Sequence, residues 1–115
     1  MVIHKGAADH RRDLFGGSGE VRVWNLLAGL SRQPRPFTAV LSCELEAGGH
    51  VGRHVQQRDP EIVVGLAGEG EARVDGEPSP LGPGEVVYLP LGSTLELRNL
   101  SRETVLAYLI IKASD

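Results

Sequence analysis

One cysteine in 115 residues leaves no partner for an intrachain disulfide and too few thiolates for a Cys-based zinc cluster. Cys43 lies in an apolar-alternating stretch and reads as a buried structural thiol. Positive charge is also short. Twelve Lys and Arg against 15 Asp and Glu give a net charge of −3, so no basic field exists to gather nucleic acid or anionic lipid. Aromatic residues make up 4% of the chain, and Phe15, Trp24, Phe37, Tyr88 and Tyr108 are scattered rather than grouped as a base-stacking platform. The longest apolar run, residues 105–111, is far below the ~20 residues of a membrane helix. Residues 1–13 lack the apolar core of ~7–15 residues that a secretory leader needs. Together these absences predict a cytoplasmic protein with neither a nucleic-acid nor a membrane partner. No serine sits in a Gly-x-Ser-x-Gly elbow, which leaves serine hydrolysis without support.

What the chain does have is 15 glycines and 7 prolines, too many for a helical bundle. Its apolar residues recur at every second position: Val21 and Val23, then Phe37, Ala39, Leu41, Cys43 and Leu45, and later Leu95 and Leu97. That period defines half-buried strands. Asp75-Gly76 between two alternating stretches is a hairpin signal. Eight or nine short strands at this spacing predict an all-β single domain, a sandwich or closed barrel, over residues 20–115. The glycine-rich stretch ending at Gly19 marks residues 1–19 as a flexible N-terminal arm. The apolar run at residues 105–111 predicts a strand covered by the core on one side and by a second subunit on the other, hence a homodimer.

Chemistry concentrates between Gly48 and Gly68. On an extended chain His54 and Gln56 point to one face, and Glu61 can join them from an adjoining strand. A carboxylate placed there needs a partner: a metal, its own proton, a hydrogen bond from Gln56 or His54, or an arginine such as Arg53 or Arg73.

The spacing of Gly48, His54, Gln56, Glu61 and Gly68, followed by Gly84, Pro90, Gly92, Leu95 and Asn99, resembles the two motifs of the cupin family. The likeness spans about residues 37–112. It implies a small antiparallel jelly-roll barrel with an interior pocket, lined by His54, Gln56, Glu61, Leu95 and Leu97. It also implies a divalent metal (iron, manganese, nickel or zinc) at positions 54, 56, 61 and 95. Two of those four positions depart from the family pattern, with Gln56 and Leu95 standing where the motifs have histidine. Glutamine still offers a carbonyl oxygen, whereas leucine offers nothing. His50 is the nearest substitute ligand, but an extended chain holds it ~13 Å from His54.

Three readings therefore stay open. The first is a barrel that binds a small polar ligand beside a weak or degenerate metal site. The second is a metal-dependent oxygenase or isomerase using His54, Gln56 and Glu61. The third is a noncatalytic dimeric interaction protein whose interior is filled by Leu95 and Leu97. His54 and Glu61 are the candidate acid/base pair if there is catalysis.

Overall fold

Alternating patterning of this kind builds two sheets whose apolar faces meet. The computed structural model describes residues 1–114, and its strands are β1 (Asp9–Arg12), β2 (Glu20–Asn25), β3 (Phe37–Leu45), β4 (His50–Val55), β5 (Glu61–Ala67), β6 (Gly70–Val74), β7 (Glu77–Leu81), β8 (Val86–Leu89), β9 (Thr94–Asn99) and β10 (Leu106–Ala113). One sheet runs β1-β2-β3-β10-β5-β8 and the other β4-β9-β6-β7. Neighbouring strands pair antiparallel throughout. Among the described residues, helical structure is limited to a 3₁₀ turn over Leu14–Gly16, and no helix is long and apolar enough to cross a membrane.

The core lies between the sheets. Val21, Val23, Cys43, Leu45, Val63, Leu89, Leu106 and Tyr108 come from the larger sheet, and Val51, Ala72, Leu81, Leu95 and Leu97 from the smaller. Their removal from water is the main favourable contribution to folding. Asp75 and Gly76, both at positive φ, turn β6 into β7 with Val74 opposite Glu77, as a two-residue hairpin requires. Pro78 and Pro80 are tolerated because β7 is an edge strand, where no second neighbour needs their missing N–H groups.

The segment read from sequence as an arm divides in two. Residues 1–8 form no strand. From Asp9 the chain joins the larger sheet, with Arg11 opposite Val21, and this supplies a tenth strand. All four residues of β1 are exposed, so no apolar alternation marks it in the sequence. The following turn lies directly on β4: a Cβ on Gly17 would come within 1.9 Å of His50 O, and one on Gly52 within 2.0 Å of Phe15 O. Only glycine at both positions allows that approach.

Candidate functional site

The core is not completely filled. A cavity of about 160 Å³ lies between the sheets, with Val51, His54, Leu95 and Leu97 on its β4–β9 side and Leu41, Cys43, Glu61, Tyr108, Ile110 and Lys112 opposite. Arg11, Leu14 and Phe15 close one end. A second depression of about 400 Å³ adjoins it, sharing Phe15, His54 and Lys112 and adding Thr38, Gln56, Gln57, Arg58 and Asp59. The three shared residues therefore form the threshold between an apolar interior and a polar mouth.

His54 and Leu95 are register partners across β4 and β9. Val51 and His54 are three residues apart, so regular alternation would place them on opposite faces. An irregularity in the pairing between them turns both toward the cavity. The His54 ring stacks on Phe15, centroids 4.0 Å apart and planes 12° from parallel. Its Nδ1 donates to Gly52 O at 2.9 Å, which leaves the lone pair on Nε2. Burial holds His54 below the usual histidine range, and the nearby Lys112 ammonium lowers it further.

Glu61 opens β5 and is 3% exposed. Its neighbour across the sheet on β10 is Lys112, whose Nζ lies 3.8 Å from Oε1, an ion-pair separation longer than a hydrogen bond. Oε2 is buried without a hydrogen-bond partner among the described residues. Burial pushes the Glu61 carboxyl up, against the opposing pull of Lys112. Of the alternatives open from sequence, a raised carboxyl agrees with this environment, and the arginines Arg53 and Arg73 are not its partners. Arg53 is exposed, and Arg73, on the smaller sheet, pairs with Glu71 at 2.9 Å. Lys112 was missed because it is distant in sequence and reaches Glu61 only through the β5–β10 register. Its signal was a single charge at the inward position two after Ile110 and four after Tyr108.

Cys43 and Tyr108 are register partners on the cavity wall. Burial pushes the Cys43 thiol up to about 12, so it is an inert wall residue rather than a nucleophile. Burial raises the Tyr108 hydroxyl in the same direction.

Of the residues singled out by sequence, His54, Glu61, Leu95 and Leu97 share the cavity. Gln56 is elsewhere: β4 ends at Val55, so the same-face rule for residues two apart no longer holds. Gln56 instead belongs to the mouth, its backbone bonded to Gly92 and Ser93. His50 is also remote from the cavity. It pairs with Glu96 at 2.5 Å, and the alternation of β9 turns Glu96 away from inward-facing Leu95 and Leu97.

The donor set implied at positions 54, 56, 61 and 95 does not fit a divalent metal. Leu95 places hydrocarbon opposite His54, Gln56 lies outside the cavity, and the Lys112 ammonium beside Glu61 repels a dication. Among the described residues no three His, Cys, Asp or Glu side chains converge as a ligand cluster.

The pH response of Glu61 follows from its environment. Its unfolded value is 4.5 and its folded value is higher, so the stabilising contribution is fully present below pH 4.5 and is lost as pH rises through the folded pKa. A Glu61→Gln variant is expected to gain stability relative to the native chain across that window, reaching about 1 kcal/mol at neutral pH. Urea unfolding at several pH values checks this, and a difference that shrinks as pH rises contradicts it. His54 acts oppositely: with its folded value below 6.5, its contribution is present above pH 6.5 and is lost as pH falls through the folded pKa.

Comparison with known proteins agrees with this architecture. Residues 41–111 match the family model for the cupin domain. The chain belongs to the cupin domain family. A crystal structure of a predicted oxalate decarboxylase from Thermotoga maritima superposes with a TM-score of 0.86 at 26% identity, covering 98% of both chains. A Cupin 2 conserved barrel domain protein from Salinispora arenicola gives 0.66 at 28% identity, covering 79% of this chain and 74% of that one. A sugar phosphate isomerase from a cupin superfamily of Silicibacter pomeroyi gives 0.72 at 18% identity over 100% and 76%, a likeness of fold alone. No curated protein sequence matches the chain.

Proposed function

We propose that this cupin binds a small polar molecule in its interior cavity and does so without a tightly held metal. The observation that carries this reading is the Glu61–Lys112 pair: a buried carboxyl 3.8 Å from an ammonium at the threshold of the barrel, with its second oxygen unpartnered among the described residues. Such an oxygen is costly to leave unsatisfied, and a ligand that hydrogen-bonds to it recovers that cost. The neutral His54, with its Nε2 lone pair, supplies an acceptor on the opposite sheet. Placed this way, His54 and Glu61 could also act as base and acid on a bound molecule.

A Leu95→Phe variant tests the reading by filling the cavity. Native mass spectrometry of untagged protein is expected to show a small organic adduct that this variant lacks. An adduct equally abundant in both proteins contradicts interior binding.

The rival reading, a metal-dependent enzyme, draws support from the description of the Thermotoga maritima neighbour as a predicted oxalate decarboxylase and from the two open donors, His54 Nε2 and Glu61 Oε2. It requires a third donor and displacement of Lys112.

A homodimer is part of the proposal. The outward face of β5 and β8 pairs Ile62 with Tyr88 and Val64 with Val86, and Ile111 and Leu109 of β10 extend it. Ile62, Val86 and Tyr88 are all exposed. Light scattering is expected to give the mass of two chains, and a Val86→Glu, Tyr88→Glu variant to give one. A native chain that scatters as a monomer contradicts this arrangement.

A further inference from the structure

Resting on the reading of the barrel as a ligand pocket, we infer that its ligand is a short aliphatic monocarboxylate, with its head between Lys112 and Glu61 and its tail along Leu95, Leu97 and Ile110. The Lys112 ammonium and the Glu61 carboxyl approach to 3.8 Å without a hydrogen bond between them, and Glu61 Oε2 is unpartnered although the residue is 97% buried, being 3% exposed. A carboxylate satisfies both. One ligand oxygen accepts from the Lys112 ammonium, and the other accepts the proton of Glu61, giving a carboxylic acid–carboxylate pair in which one proton is shared.

Other ligand classes fit less well. An amine adds positive charge to a cavity already lined by Lys112 and Arg11. An alcohol can donate to Oε2 but brings no charge to meet the ammonium. A dicarboxylate would lay its second charge along Leu95 and Leu97 unless it reached Arg11 at the cavity's closed end, which makes succinate the discriminating competitor. The volume limits the length: at ~30 Å³ for each water-sized group, about 160 Å³ holds roughly five such groups, so the fit is to acids of about three or four carbons.

The test is isothermal calorimetry of the untagged full chain with butyrate, butan-1-ol and succinate. Butyrate is expected to bind at least about 10-fold more tightly than either of the others. Lys112→Met is expected to weaken butyrate by about 10-fold or more, while Lys112→Arg and Glu61→Gln, which keep a cation and a donor, hold it within about threefold. Far-ultraviolet circular dichroism establishes that each variant is folded. Butan-1-ol binding as tightly as butyrate, or a Lys112→Met variant with undiminished affinity, overturns the carboxylate assignment while leaving the pocket intact. Tighter binding of succinate than butyrate overturns the single-headed class. If none of the three binds, the carboxylate assignment is overturned, and the adduct comparison with Leu95→Phe decides separately whether the pocket reading falls too.

Discussion

A Leu95→His, Lys112→Met double variant is expected to bind zinc or nickel at least about 100-fold more tightly than the native chain. Leu95 faces His54 across the β4–β9 pair, and both line the cavity that contains Glu61. An imidazole at position 95 therefore brings the nitrogen and oxygen donors of the cavity to three. Removing the ammonium takes away the charge that opposes a dication beside Glu61. The single Leu95→His change is expected to give a smaller gain, because Lys112 still competes for the carboxylate. The difference between the single and double variants measures how far Lys112 excludes a metal. Competition titration with a chromophoric chelator reads both. A folded double variant with native affinity would show that positions 54, 61 and 95 do not converge closely enough to share an ion.

The second large effect concerns stability. Asn99 ends β9 and is 5% exposed. Its Nδ2 lies within hydrogen-bond reach of three carbonyls, Leu45 O and Glu46 O at 3.1 Å and Thr104 O at 2.8 Å, and its Oδ1 accepts from Ser101 N at 2.9 Å. One side chain thus fastens the end of β3 to the turn between β9 and β10, and its own backbone N–H donates to Gly49 O at 2.9 Å. Asn99→Ala leaves several of these carbonyls without a donor and is expected to cost about 2–4 kcal/mol in urea unfolding. A loss below about 0.5 kcal/mol would mean that water replaces the amide without penalty.

Asn99 also shows what was legible in the sequence. As the last position of the second motif it is fixed by spacing, and the structure supplies its reason: the turn cannot be tied down without a side chain that donates and accepts. Strand β9, the start of β6 and the end of β3 at Cys43 and Leu45 were legible because one face of each is buried and alternation reports that directly. β1 was not, since an edge strand exposed at every residue carries no such pattern.

At the site, the resemblance to the family motifs grouped His54, Glu61, Leu95 and Leu97, but it could not supply their electrostatic partner. Lys112 lies just past the apolar run of residues 105–111, and only the antiparallel register with β5 brings it to Glu61. Gln56 illustrates the converse. Local periodicity gives the face of a residue only while the strand continues, and β4 stops one residue before it. The irregularity between Val51 and His54 is likewise invisible to a period-two reading, yet it is what turns the His54 ring inward.

These particulars meet in one proposal: in this cupin the Lys112 ammonium, 3.8 Å from Glu61, disfavours a dication at that carboxylate. Elemental analysis of untagged protein, purified without chelators and without added metal, tests it most directly. The account predicts transition-metal content far below one ion per chain, unchanged after dialysis against zinc at micromolar concentration. Iron, manganese, nickel or zinc at close to one ion per chain, retained through gel filtration, would contradict it.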